Sequence, residues 1–400
     1  MTTLYQKRVR EDNLRKVLRF IHRMGSTSRP AIAQELHLSP ATVASLVAEL
    51  EECGLVQEDG LGKSRGGRKP AILRFNAEWA WVVAAKVGVT RVRVGLANLK
   101  GELKGKRVEP LASRNLKDVV YQVTRMVSML LEELPHPRIL GMGVCCPGVI
   151  DRETGEVLKA VNLGWENVPL RSLLAEHSPW PVFVEDGADA GALGEKWFGS
   201  GQDVENLIYV VVGNGIGSGI ILHGELYTGQ QHVAGEFGHT SIDFSGPSCS
   251  CGNRGCLELY ASARALVRRV EKALQQGEKT LIRNFLEEGK DLTAELVSEA
   301  AYLGDSFALQ LLEETGTLLG RAIGNLVNLF DPELVVIGGG LSLAHPVFFE
   351  SLKRTVEIQS LFLHRRPVAV RRAFFGGDSE LVGAAALTVE RVFGERVPIL

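Results

Sequence analysis

W81-V-V-A-A-K-V-G-V-T-R-V-R-V-G-L-A-N98 and L207-I-Y-V-V-V-G-N-G-I-G-S-G-I-I-L-H-G224 are built alike. Each holds two runs rich in β-branched residues, parted by a short turn of glycine and other small residues, which predicts strand, tight turn, strand. Two such hairpins, one near the start of each half of the larger part of a 400-residue chain, predict a duplicated body of two lobes. The turns would offer backbone N–H groups to a cleft between them. A glycine turn alone decides little, because many hairpins carry one.

Working outward from the second hairpin, the stretch from His239 to Glu258 reads H-T-S-I-D-F-S-G-P-S-C-S-C-G-N-R-G-C-L-E and packs three of the six cysteines into eight residues. His239, Cys249, Cys251 and Cys256 supply one imidazole and three thiolates, a set suited to tetrahedral zinc. With all four positions filled by protein, such a zinc is structural. A disulfide is the weaker alternative in a cytosolic protein. Cys53, Cys145 and Cys146 lack ligand spacing and read as small core residues.

Four hundred residues of which 45% are hydrophobic suit two or three globular domains and exclude a disordered chain. The N-terminus is polar and basic with no apolar stretch behind it, and no uncharged apolar run approaches the ~18 residues that span a bilayer. The expected location is therefore the cytoplasm, with no membrane partner. The net charge of −2 conceals an asymmetry: residues 1–75 carry 13 Lys and Arg against 8 Asp and Glu, and the remainder is acidic. The basic end points to nucleic acid.

Within that end, Leu14, Val17, Leu18 and Ile21 recur at i, i+3, i+4 and i+7 and predict a helix with one buried face. A second short helix is expected from about Pro30, burying Ile32, Ala33 and Leu36. Ser39 is a good N-cap and Pro40 suits the first helical position, so a third helix begins there. Val43, Leu46, Val47 and Leu50 point inward in it, leaving a smooth outer face of small residues. Three short helices with a tight turn before the last are helix-turn-helix geometry. Ser39, Ala41, Thr42 and Ser45 are thus expected at base edges and phosphates. Beyond Gly54, two strands at Leu55-Val56 and Ile72–Phe75 flank G-L-G-K-S-R-G-G-R-K-P, a wing whose Lys63, Arg65, Arg68 and Lys69 suit phosphate contact or the minor groove. The recognition helix has no Arg or Lys to read guanine, so the wing and dimerisation should carry much of the affinity.

The remaining motifs occur in a fixed order: G143-V-C-C-P-G-V-I-D151, N162-L-G-W165, V184-E-D-G-A-D-A-G-A-L-G-E195, G235-E-F-G-H239, the cysteine cluster, and D331-P-E-L-V-V-I-G-G-G-L-S342. With the helix-turn-helix, this series resembles the ROK family of sugar kinases and sugar-responsive repressors over essentially the whole chain. V161-N-L-G-W-E-N-V-P-L170 looks most like its xylose-repressor subgroup. The resemblance implies an α/β fold: an actin- and sugar-kinase-like (ribonuclease H-like), duplicated two-lobe body behind an N-terminal, mainly α winged helix-turn-helix. Expected boundaries are 1–75 for the DNA-binding domain, 77–190 for the first lobe and 191–379 for the second, with a helix at about 380–400 packing back on the first. The resemblance also implies zinc on His239, Cys249, Cys251 and Cys256, and sugar contacts from Asp186, Glu236, His239 and Glu258. The chemistry fits, since carboxylates accept from vicinal hydroxyls and a metal-bound imidazole can offer its other ring nitrogen.

Kinases of the family need an aspartate as general base within V-E-N-D-A-N-A. Here V184-E-D-G-A-D-A190 puts Asp186 at the Asn and Gly187 at the catalytic Asp, although a one-residue shift would bring Asp186 there instead. Losing a general base removes roughly 10²–10⁴ from a rate. The kinases' D-x-G-x-T becomes K86-V-G-V-T90, which leaves no carboxylate for magnesium. The expectation is a repressor, not an enzyme: a dimer or dimer of dimers on a pseudo-palindromic double-stranded operator, with a sugar effector in the cleft, xylose before glucose. The competing readings are an ATP-dependent sugar kinase with an appended regulatory domain, and a regulator controlled by a docking protein.

Overall fold

The computed structural model describes residues 2–61, 71–133, 138–361 and 367–395. The N-terminal part runs α1 (Thr2–Met24), β1 (Ser26–Ser28), α2 (Arg29–Glu35), α3 (Pro40–Glu52), β2 (Val56–Leu61) and β3 (Ala71–Phe75). Ser28 and Ser39 cap α2 and α3, accepting from the N–H groups of Ala31 and Thr42, and each helix has proline in its first two positions. Leu14, Val17, Leu18, Ile21, Ile32, Val43, Leu46, Val47 and Leu50 are all buried, while Ala33 and Leu36 are half-buried. Gly54, at φ +84, ends the α3 turn. The strands pair antiparallel in the order β1-β3-β2. The third strand, β1, was not anticipated: Ser26–Ser28 is too short and polar to show a period of two. Lys63, Arg65, Arg68 and Lys69 lie outside the described residues.

The first lobe contains β4 (Trp81–Val87), β5 (Arg91–Asn98), β6 (Leu103–Pro110), α4 (Leu116–Glu132) and β7 (Ile139–Cys146). A small sheet of β8 (Val149–Asp151), β9 (Glu156–Ala160) and β10 (Trp165–Val168) follows, then α5 (Leu170–Ala175), β11 (Val182–Asp186) and α6 (Gly187–Trp197). The second lobe contains β12 (Leu207–Val212), β13 (Ile216–Leu222), β14 (Glu225–Leu226), α7 (Glu258–Ala261), α8 (Ala263–Gln275), α9 (Leu281–Glu287) and α10 (Ala294–Tyr302). It closes with α11 (Ser306–Phe330), β15 (Leu334–Gly338), α12 (Pro346–Gln359) and β16 (Ala369–Arg372), after which α13 (Ser379–Glu395) packs back on the first lobe.

The main sheets are duplicates, ordered β11-β7-β4-β5-β6 and β16-β15-β12-β13-β14. In each, an antiparallel meander opens the sheet and two parallel strands follow on the other side of its first strand. Helices α6 and α13 pack together between the sheets, α6 against β12 and β13, α13 against β4, β7 and β11. Their approach requires glycine, since a Cβ at Gly383 would lie 1.8 Å from the Ala190 carbonyl oxygen. One apolar core runs from the winged helix through both helices.

That continuity has a defined joint. His22 on α1 is buried, its Nε2 2.7 Å from the Leu99 carbonyl oxygen, and its ring packs edge-on against Phe75 and Trp197. Burial lowers its pKa to about 4, against the opposing pull of the Leu99 carbonyl, so it is neutral at pH 7. Gly101, at φ +76, leaves room for the Phe198 ring, 2.4 Å from where a Cβ would stand.

Candidate functional site

Both lobes line a cleft of about 1500 Å³, into which the β4–β5 and β12–β13 turns project. Asp186 ends β11 and caps α6, its Oδ1 accepting from the N–H groups of Ala188 (2.7 Å) and Asp189 (3.4 Å) and its Oδ2 from that of Gly148 (3.3 Å). Aspartate is a favoured N-cap for this reason, so the chain places a carboxylate at the cleft floor by local rules alone. Across the cleft, Glu236 follows Gly235, whose φ of +90 and missing side chain let it lie against β13. Ser218 clamps it there, donating to the Gly235 carbonyl from both its N–H (3.2 Å) and its hydroxyl (2.9 Å).

The cysteine loop completes that wall. Donor atoms of His239, Cys249, Cys251 and Cys256 all lie within 4.8 Å of one another. The Cys249 Sγ to His239 Nδ1 distance is 3.6 Å and the Cys251 Sγ to Cys256 Sγ distance is 3.7 Å, close to the ~3.6–3.8 Å edges of a tetrahedron with metal–ligand bonds of 2.0–2.3 Å. His239 thus turns Nδ1 toward the thiols. Its Nε2 stands 4.0 Å from Glu236 Oε2, and Glu258 Oε1 lies 3.9 Å from Nδ1. Leu257 alone separates Cys256 from Glu258 at the start of α7, and its N–H donates to the Thr240 carbonyl at 2.9 Å. Burial and the two neighbouring thiols push Cys256 up to about 12.

Asp186, Glu236, His239 and Glu258 therefore line one cleft. Burial, with Glu236 and Glu185 adding to it and the Ala188 N–H opposing, raises Asp186 to about 7. Burial also raises Glu236, against the pull of His239. These four side chains bring several acceptors and no Lys or Arg, which suits a neutral polyol better than an anion at this end of the cleft.

Two cleft residues escaped the sequence reading. Asp189 lies one turn beyond Asp186, buried, with Oδ1 lacking any partner among the described residues. Its i+3 spacing from Asp186 was the available signal. Glu380, on the first turn of α13, forms an ion pair with Lys86 at the end of β4, and no local pattern announces it. Gly187 opens α6 beside them.

In the winged helix, Ala41 and Ser45 are exposed and Thr42 half-buried along α3, with Ser39 exposed at its cap. Thr42 and Ser45 also border a recess of about 340 Å³ shared with Gln6, Val9, Arg10 and Asn13 of α1, where Arg10 pairs with Glu49 at 2.6 Å.

The profile of winged helix-turn-helix DNA-binding domains matches residues 10–57, and that of the ROK family matches residues 82–391. The chain belongs to the ROK family. A xylose repressor from Caldicellulosiruptor bescii is 37% identical over 368 residues, 90% of this chain and 91% of that protein. A ROK transcriptional regulator described as a homologue of the E. coli MLC protein superposes with a TM-score of 0.81 at 28% identity, over 96% of this chain and 97% of the other. A ROK glucokinase from Streptomyces griseus, in complex with glucose and AMPPNP, gives 0.71 at 30% identity over 77% of this chain and 99% of its own. The ROK relatives thus include both regulators and kinases, and the regulator aligns over the winged helix as well. Among the described residues no helix is long and apolar enough to cross a membrane.

Proposed function

We propose that this ROK protein is a sugar-responsive, DNA-binding transcriptional repressor of carbohydrate-metabolism genes, working in the cytoplasm and without phosphoryl transfer. The observation that carries the reading is the winged helix built into one apolar core with a ROK body whose residue at the kinase base position is Gly187. Glycine holds no group to take a proton from a sugar hydroxyl, and Lys86 stands where the kinase pattern has a carboxylate.

In this reading α3 enters the major groove, with Ser39, Ala41, Thr42 and Ser45 toward DNA, and Lys63, Arg65, Arg68 and Lys69 of the wing hold phosphates. Residues 1–75 form the reader, 77–190 and 191–379 the two lobes, and two copies bind a pseudo-palindromic operator. The sugar lies between Asp186 on one side and Glu236, His239 and Glu258 on the other. Xylose is the favoured effector, because the C. bescii relative is named for it, and glucose is second. Sugar closes the lobes, changes the spacing of the paired winged helices and releases the operator, which requires the DNA-free form to bind sugar more tightly.

His239, Cys249, Cys251 and Cys256 would hold a structural zinc. The donor set fits: three clustered thiols with a buried, high-pKa Cys256 need a cation to become thiolates together. When bound, the metal supplies a cross-link between the loop bearing Glu236 and the start of α7 bearing Glu258. Metal analysis should give one zinc per chain, and Cys251→Ser should lose it and with it most sugar affinity.

Binding of purified protein to its own promoter region, followed by fluorescence anisotropy at moderate salt with and without xylose or glucose, tests the function. Operator binding relieved by one of the sugars is expected. Absence of binding at any sugar concentration would sink the proposal, and sugar-dependent ATP turnover would restore the kinase.

A further inference from the structure

We propose that Glu380 is a sugar-contacting, specificity-determining residue, held by Lys86 in the space that Gly187 leaves open; this rests on the reading of the cleft as a sugar site. A Cβ placed on Gly187 would lie 2.7 Å from Glu380 Oε1. The carboxylate of Glu380 thus stands where the side chain of residue 187 would begin, and a residue 193 positions further along the chain has taken over that corner of the cleft. Glycine at 187 removes one carboxylate from the cleft floor, and Glu380 returns another from the opposite helix.

Its position is fixed from three sides. Its Oε2 accepts from Lys86 Nζ, with both side chains mostly buried, at 21% and 14% exposure. The Glu380 carbonyl oxygen faces Cys145 Sγ at 3.3 Å. Helix α13 itself is locked against β7, where a Cβ on Gly143 would meet the Ala384 carbonyl oxygen at 1.8 Å, and against α6 at Gly383. Among the described residues Lys86 is the only hydrogen-bond partner of the Glu380 side chain, so Oε1 remains free to accept. Lys86, Gly187 and Glu380 all line the cleft together with Asp186.

A carboxylate rigidly placed by an adjacent ammonium is a strong acceptor for one hydroxyl. A site built around such a group discriminates against ligands lacking that hydroxyl, because the buried acceptor is then left unpaired. Glu380 should therefore read the hydroxyl at the end of the sugar nearest Gly187. Lys86 acts as a positioning residue: its ion pair holds the carboxylate in place.

The test is calorimetric titration of the full-length protein with xylose, glucose and the monodeoxy analogues of whichever sugar binds. In the wild type one deoxy position should weaken binding by at least about tenfold, in line with a lost charge-assisted hydrogen bond. In Glu380→Gln that penalty should shrink, in Glu380→Ala it should vanish, and Lys86→Met should reduce it by mispositioning the carboxylate. Unchanged operator affinity without sugar shows that each variant is folded. If the wild type binds sugar and Glu380→Gln and Glu380→Ala keep the full deoxy pattern and affinity, the assignment is wrong. A wild type that binds none of the sugars overturns the reading of the cleft, and this inference with it.

Discussion

Asp186 serves two purposes with one side chain: its oxygens cap α6 and contact Gly148, and it faces the cleft. Burial and its acidic neighbours raise it to about 7, above the unfolded value of 3.8, so its contribution to stability is present at low pH and lost as pH rises toward 7. Sugar binding should run the opposite way, since the ionised form is the better acceptor. Between pH 6 and 8 the ionised fraction rises about tenfold for a group of pKa near 7, and sugar affinity should rise by up to that factor. Asp186→Asn keeps a good N-cap, so calorimetry across this range should find it folded, weaker at pH 8 and nearly independent of pH. The Asn-to-Asp substitution was visible in V184-E-D-G, but the raised pKa was not, because it comes chiefly from burial and then from Glu236, both of which only the fold supplies.

At the scale of elements, α3 shows how far local chemistry reaches. The Ser39 cap, Pro40 at the helix start and the four inward aliphatics specify it without help, and Ser39 Oγ accepts from the Thr42 N–H at 3.1 Å. Ser39 Oγ also lies 2.8 Å from Thr42 Oγ1, so the cap orients a residue of the face proposed to meet DNA. Ser39→Ala should cost about 1 kcal/mol of stability, measurable as a lower urea midpoint, and should weaken operator binding several-fold without changing sugar affinity. By contrast β1 and the small β8–β10 sheet were not anticipated. Their strands are three to five residues long and are held by partners, not by their own periodicity.

For the whole molecule, the decisive element is α6. Asp186 caps its first turn in the cleft, and Trp197 at its last turn packs on His22 of α1. Its 11 residues span ~16 Å at 1.5 Å per residue, so any tilt of α6 on sugar binding would reach the DNA-binding helices through that contact. Trp197→Ala loosens that joint. Operator affinity without sugar and sugar affinity without DNA should each stay within about threefold, while the drop in operator affinity at saturating sugar should shrink markedly, since coupling requires a packed connection with two arrangements. Anisotropy titrations with and without sugar measure all three quantities, and full coupling in the variant would show that the signal travels elsewhere.

The sequence by itself determined the helices of the winged domain, the paired hairpins and the histidine–cysteine cluster. In each, the information lies within a few residues: helical periodicity, a cap, a glycine turn, ligand spacing. Only the tertiary structure decided that Glu380 fills the corner left by Gly187 with Lys86 at its side, that Asp189 is buried with an oxygen unpartnered among the described residues, and that His22 joins Leu99, Phe75 and Trp197. These pairings unite residues tens to hundreds of positions apart. Sheet register and the glycine-permitted contact of α6 with α13 fix them, and no local pattern encodes where two distant surfaces will meet.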